Sequence, residues 1–489
     1  MPVNRPPDSY LNFESKWKRC RDCREGSDAV KAAGFDYLPP LSSHETGSRG
    51  SSEYDAYRMR ALFYNAMART VQGVAGVIFQ KAPTFILTPQ IEGHEQDVTL
   101  AEESGEMFAL KVTAEILTTG RYGVLVEMSA PGQAIEPRPY WTGYSAENII
   151  SVSTSRRNGE QVLTRVVLKE SFVENDPDDE FKESVVDQYR VLSLGDEDDD
   201  GRFYRQTIWR EEHESKTWIP VEQFVPMRRN KPLDFIPFVI IGPASVAPTP
   251  IPKPPLLDLV EVLLSHYRNS ADLQHGLHKV ALPQPWVAGI QGSATDDNSI
   301  PLGASVVWML DANGRAGMLE FTGAGLGAIR TNQLDLQSLM ATLGARLLEE
   351  PATAETATAV RMRHSGEQAS IRTIAAAIET GLTSVFQWHG WWVGTAENPT
   401  DVEAGVELNR DFFSMKASAD EIKTAMLLWQ AGSITWETFY YNLTEGEWAR
   451  PGIDAEAEHI ELINEGSAEP APLVVTAEEA EAETEELAE

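Results

Sequence analysis

Prolines fix what the middle of this chain can become. Pro254 and Pro255 open, and Pro283 and Pro285 close, a stretch in which Leu256, Val260, Leu263, Tyr267, Ala271, Leu277 and Ala281 recur on one helical face. A proline is tolerated in a first helical turn, but elsewhere it removes a backbone donor and ends the helix. Pro351 closes a second such stretch, about Leu326 to Glu350, with Leu336, Met340, Leu343 and Leu347 as its stripe. At about 1.5 Å of rise per residue each helix is roughly 35–40 Å long, and helices of matched length can lie antiparallel. Between them, Ala304–Leu310 and Met318–Phe321 are apolar runs of β type around Asn313-Gly314. That pattern predicts a hairpin whose tip is Asp311–Gly317. After Pro351 a few small residues lead into a long helical pattern, Thr356 to Val393, with Ile371, Ile374, Ile378, Leu382 and Val385 on one face. Ser365-Gly366 interrupts it and predicts a kink.

At 489 residues the chain exceeds one ordinary core, so two or more packed regions are expected. The formal net charge of −33 excludes a protein that holds nucleic acid through a general basic surface, because that binding is driven by Lys and Arg at phosphate. Ser467–Glu489 carries eight Glu and no Lys or Arg, which predicts a disordered acidic tail. No run of about 18 apolar residues occurs and the first residues lack a secretory pattern, so a soluble protein made in a cytoplasm is expected. Cys20 and Cys23 are the only cysteines, which rules out a disulfide scaffold.

Before the central block, residues 1–50 read as polar, Glu53–Phe79 reads as an amphipathic helix, and about Leu100–Leu117 reads as a second helix. Val124–Met128, Arg165–Lys169, Tyr189–Leu194, Phe203–Trp209 and Phe235–Ile241 read as strands. Five prolines in Ala247–Pro255 mark a domain edge. After the block, Ser418–Gln430, Trp436–Leu443 and Ala455–Asn464 read as short helices, and no internal repeat is visible.

Four motifs carry possible chemistry. Phe321–Ala328 has the glycine spacing of a dinucleotide fingerprint, yet no parallel strand with an acidic end follows, so the glycines are read as a turn into a helix. Asp196–Gly201 begins like a calcium loop, but Thr207 stands where the bidentate Glu belongs, and a solvated hairpin loop fits better. Cys20 and Cys23 could offer two thiolates to zinc, with no second ligand pair to complete four. His275 and His278 lie within one helical turn and suit a ring contact better than a metal. There is no nucleotide P-loop, Gly-flanked nucleophilic Ser or zinc-protease His pair, so no catalytic residue, metal or cofactor is expected.

Taken in order, Ala33–Pro40, Tyr57–Asn65 with Gly73–Phe79, Leu117–Val126, Arg138–Tyr140 with Glu147–Ile150, Phe235–Phe238, Leu256–Gly289 and Glu355–Arg361 resemble the portal, or head-to-tail connector, proteins of tailed bacteriophages. The resemblance spans nearly all of residues 25–465. It implies an α+β portal fold with wing, helical stem, β-hairpin clip and helical crown, and a ring, usually of twelve copies, at one capsid vertex. Double-stranded DNA enters through that ring under terminase and later leaves. Carried onto this chain, the resemblance makes 1–253 the N-terminal arm and wing, 254–282 and 326–349 the stem helices, and 283–325 the clip. It makes 350–355 the tunnel loop, 356–417 the kinked helix and wing return, and 418–466 the crown, leaving 467–489 as the tail. Glu349, Glu350, Pro351, Thr353 and Glu355 then belong to the tunnel loop, Asp311, Asn313, Gly314 and Arg315 to the clip tip, and Ser365 and Gly366 to the kink. The implied partners are further copies of the chain, the major capsid protein, the terminase large subunit, head-completion adaptors and passing DNA, in the virion and in the host cytoplasm during assembly. Two alternatives stay open: an enzyme using the 321–328 glycine turn for a nucleotide, and a capsid adaptor without a channel.

Overall fold

The N-terminal segment, read as polar, folds as two helices, α1 (Asp8–Glu25) and α2 (Ser27–Ala32). Tyr10, Trp17, Cys20 and Cys23 sink from one side of α1 into the protein while its charges stay out, so a narrow stripe suffices to bury a mostly polar helix. A computed structural model describes residues 3–41, 52–129, 137–157, 159–176, 179–195, 203–212, 215–247, 249–280, 284–290, 310–319, 324–345, 357–410, 412, 419–445, 448–449 and 454–464. The chain divides into two units, Met1–Arg410 and Asp411–Glu489.

In the first unit, the single helix expected over Glu53–Phe79 is two, α3 (Ser52–Arg60) and α4 (Ala66–Ile78). The break is fixed by Asn65, whose side chain accepts from Ala68 N at 2.9 Å and caps α4. Strand β1 (Thr84–Ile86) and helix α5 (Gly105–Thr119) follow. Ser104 caps the start of α5, and Gly120, at φ +79°, ends it in the left-handed conformation that favours glycine. Strands β2 (Tyr122–Met128) and β3 (Pro139–Ser145) lead to a meander of β4 (Ile149–Arg157), β5 (Glu160–Asp176), β6 (Asp179–Leu194), β7 (Tyr204–Glu211) and β8 (Trp218–Phe224). The two-residue strands β9 (Met227–Arg228) and β10 (Lys231–Pro232) pair with each other, and β11 (Phe238–Ile241) joins β2 and β3 in the order β11-β2-β3.

Helix α6 (Leu257–Val280), strands β12 (Gln284–Ile290) and β13 (Leu310–Leu319), helix α7 (Ala324–Met340) and the long α8 (Ala357–Val393) make up the central block. Strand β14 (Gly405–Glu407) then returns to pair with β1. Among the described residues every strand pairing is antiparallel. The second unit holds α9 (Ala419–Gln430), α10 (Trp436–Glu445) and α11 (Ala455–Asn464). Trp429 stacks on Phe439 there, with centroids 5.1 Å apart.

The core of the first unit lies where α5 and α8 cover the β11-β2-β3 sheet. Trp141 is the hub: its ring meets Phe108 at 5.2 Å and Phe386 at 4.7 Å, both edge-on. Side chains of this size, fully buried, contribute about 1.5–3 kcal/mol each before packing terms. The five-stranded sheet is joined to this core by polar groups. Arg190 donates to Glu170 at 2.7 Å and to Gln206 at 2.8 Å, and Tyr144 donates to Glu170 at 2.6 Å. Burial works to raise the Glu170 pKa, but Arg190 and these donors outweigh it and hold the carboxyl below its ordinary range. Among the described residues no helix is long and apolar enough to cross a membrane, and no group of three or more His, Cys, Asp and Glu is placed to hold a metal ion.

Candidate functional site

Helices α6 and α7 lie antiparallel, and three contacts set the register. A Cβ on Gly276 would stand 2.5 Å from Leu326, Gln337 meets His266 at 3.1 Å, and a Cβ on Gly344 would stand 2.9 Å from Leu259. Glycine at 276 lets Leu326 close on the α6 backbone. His266 is buried, which lowers its pKa and keeps the ring neutral beside Gln337.

The root of α6 is anchored by earlier elements. Tyr57 of α3 donates to Asp272 at 2.6 Å and packs edge-on against His275, Ser270 accepts from Leu62 N at 3.1 Å, and Arg268 donates to Tyr37 O at 2.8 Å. His275 is thus a ring contact. Burial falls along the pair: Leu256, Val260, Leu263, Tyr267 and Ala271 are buried, while Leu277 is exposed. Helix α7 mirrors this, with Met340 buried at the root and residues nearer the ribbon mostly exposed.

At about 100° per residue, the positions of α7 sort around its axis. Leu326, Ile329, Gln333, Leu336 and Met340 are its better covered positions and form one stripe. Opposite them stand Thr331, Asp335, Ser338 and Thr342, all exposed and polar. On the flanks are three exposed leucines, Leu334 (56 %) on one side and Leu339 (44 %) and Leu343 (38 %) on the other. Leu343, expected in the packed stripe, is therefore a flank residue. The helix ends not in a plain α turn but in a π turn, Ala341–Ala345, set against Thr70 and Leu259.

The hairpin expected with Asp311–Gly317 as its tip is replaced by a ribbon in which β13 pairs with β12. Trp286 faces Gly317, where a Cβ would stand 3.0 Å from the indole nitrogen. Asp311, Asn313, Gly314 and Arg315 all lie inside β13. Arg315 pairs with Ala288 and Leu310 with Ile290, so the residues between them bulge out opposite a single partner residue. The first run of the expected hairpin, Ala304–Met309, lies outside the described residues.

Glu349, Glu350, Pro351, Thr353 and Glu355 also lie outside the described residues, as do Asp196–Asp200 and the 467–489 tail. Ser365 and Gly366 fall within α8, which is helical through both. Gly325 and Gly327 stand in the first turns of α7 behind an antiparallel strand, which is not the loop of a dinucleotide fingerprint. Cys20 and Cys23 are fully buried; burial pushes the Cys20 thiol up to about 12 and raises that of Cys23, so both stay protonated and act as small apolar side chains. Leu334 and Leu339 were missed in the sequence because a 3.6-residue count rewards the packed stripe and passes over apolar residues beside it.

Residues 255–393, which hold this site and α8, match a family described as a domain of unknown function, DUF4055. No curated protein matches the chain in sequence. Among solved structures it is similar to one described as the virion of a native gene transfer agent (GTA) particle, at 12% identity and TM-score 0.40, covering 85% of this chain and 98% of that one. It is similar also to the neck of an empty GTA particle computed with C6 symmetry, at 12% identity and TM-score 0.39, covering 81% and 94%.

Proposed function

We propose that this chain is a portal subunit, a non-enzymatic building block of a ring at one capsid vertex through which double-stranded DNA is packaged, retained and released. In this reading α6 and α7 are the stem, the β12-β13 ribbon belongs to the clip that meets terminase and later the head-completion proteins, and 350–355 is the tunnel loop. The parts before Ala247 form the wing and 418–466 the crown. The carrying observation is the sorting of α7: leucines on both flanks and a polar back of Thr331, Asp335, Ser338 and Thr342. A closed ring needs two complementary faces on each subunit, and apolar flanks on either side of one helix supply them. A back without Lys or Arg, in a chain of net charge −33, would let phosphate slide by without adhering.

The test is assembly. Purified protein should form rings with a central channel in electron micrographs, twelve subunits being the expected number. Replacing Leu339 and Leu343 together by Glu should leave the far-ultraviolet dichroism unchanged and shift the native mass to single subunits. A wild type that is monomeric at every concentration, or a double variant that assembles as well as wild type, overturns the proposal.

A further inference from the structure

The β5-β6 hairpin outruns its sheet. The last pairing of β4 with β5 is Ile149 with Leu168, and the last of β7 with β6 is Arg210 with Gln188, so among the described residues no third strand pairs with the hairpin from Lys169 to Asp187. At about 3.3 Å per residue this two-stranded ribbon projects roughly 25 Å. Two strands alone are only marginally stable in water, and these also carry apolar side chains into it. Val173 and Val185 stand opposite each other across the ribbon, Val185 being 73 % exposed and Phe181, nearer the tip, 88 %. The end of the ribbon is acidic: residues 174–183 include six Asp and Glu and one Lys.

At the other end of the same sheet is a cavity of about 350 Å³ with Val126, Met128, Phe224, Pro226, Met227 and Trp392 in its wall. Strand β6 runs from Asp179 at the ribbon tip to Leu194; near that far end Leu192 pairs with Gln206 of β7, and Gln206 pairs with Phe224 of β8, so tip and cavity lie at opposite ends of the sheet. Trp392 is buried, and its Nε1–H has no hydrogen-bond partner among the described residues, while Phe224 and Met227 are exposed. Directly after Met227, the turn between β9 and β10 gathers Arg228, Arg229 and Lys231, three bases in four residues of a chain with 74 Asp and Glu against 41 Lys and Arg. Arg228 donates to Gly394 O at 2.8 Å and Ala396 O at 2.9 Å, and Arg229 donates to Gly394 O. These acceptors are neutral carbonyls, so the turn stays cationic.

We propose that the Phe181 end of the ribbon docks in the Trp392 cavity of a second copy of this chain, a contact that rests on the ring reading above. Three observations carry it. The apolar tip matches the apolar wall, and an aromatic anchor in a pocket is the usual centre of a protein interface. The acidic ribbon meets the basic turn beside the cavity, which fixes the partner and speeds the encounter. The outer edges of the ribbon present main-chain carbonyls that no third strand takes up, and one of them can accept from the Trp392 indole. Because tip and cavity lie at opposite ends of one sheet, each copy offers one and receives the other, and such head-to-tail contacts close into a ring.

Cross-linking of the full chain tests this. Glu183→Cys and Met227→Cys are placed together in one chain; both positions are exposed, and the native Cys20 and Cys23 are buried and do not compete. A short bis-maleimide should then give a ladder of covalent multimers on a denaturing gel, and neither single variant should. Adding Phe181→Glu to the pair should abolish the ladder. Adding Arg229→Glu with Lys231→Glu should slow its formation about tenfold at low salt and much less at high salt, where exposed charges are screened. Native mass, read on the same samples, separates the two ways of failing. Rings that form without a ladder, a ladder unaffected by Phe181→Glu, or dimers from Glu183→Cys alone, which would mean that ribbons meet each other, overturn this contact and leave the ring reading standing. A chain that stays a single subunit at every concentration overturns both.

Discussion

His389 sits where three parts of the first unit meet, and its hydrogen bonds leave little freedom. The Trp141 indole can only donate, so His389 Nδ1 is the acceptor at 3.1 Å, and Nε2 carries the proton toward His94 Nδ1 at 2.8 Å. Burial, helped by His94 and Arg138, pushes the His389 pKa down to about 3; His94 is lowered by burial and Arg138 against the pull of Glu95. An unfolded histidine titrates near 6.5, so the unfolded chain binds the proton first. The stability from this group is present above pH 6.5 and is lost as pH falls toward 3. Between pH 6.5 and 5 ordinary carboxylates barely titrate, so Tm should drop over that interval in wild type and drop less in His389→Gln. Equal slopes would remove His389 from the account. None of this was legible in the sequence, where His94 and His389 are far apart. The cysteines were half legible: there being only two excluded a disulfide framework, but their burial follows from α1, whose apolar positions are too sparse among charges to announce a helix.

Elements bracketed by strong chain-breakers were the most legible. Between Pro255 and Pro283 the expected helix is observed as Leu257–Val280, and the expected final helix is observed as Ala455–Asn464. The ribbon was misread because a turn dipeptide constrains backbone angles and not pairing; which strand meets β13 is decided by tertiary contact. Packing also decides the sign of a prediction in α8. Gly381 lies mid-helix, where alanine normally gains about 1 kcal/mol in propensity. Here a Cβ would stand 2.5 Å from Cγ1 and 2.6 Å from Cδ1 of Ile241, a fully buried residue of β11. Overpacking a filled core costs about 1–3 kcal/mol, so Gly381→Ala should destabilise by roughly 1 kcal/mol net in denaturant unfolding. A stabilised variant would mean that α8 and β11 can separate without cost.

At the scale of the molecule, mixed helix and sheet was legible from the alternation of periods, while the long reach of its pairings was not. Thr84 of β1 pairs with Glu407 of β14, and Trp141 is enclosed by Phe386 and bonded by His389. Chains ending at residue 350 lack α8 and should be cut readily by protease within 84–145, whereas chains ending at 410 should resist. Equal resistance would show that α8 is dispensable to the sheet it covers. The β1-β14 pair also sets a timetable. A ribosome adds about 5–20 residues per second, so β1 waits roughly 20–60 s for its partner to be made. Throughout that wait the sheet of β2, β3 and β11 has no α8 to cover it, and greasy residues such as Trp141 and Val124 meet whatever else is in solution. The slow step in making this protein should thus be the arrival of about the last eighth of its first unit, and a host that shields nascent chains should decide the yield more than the stability of the finished fold does.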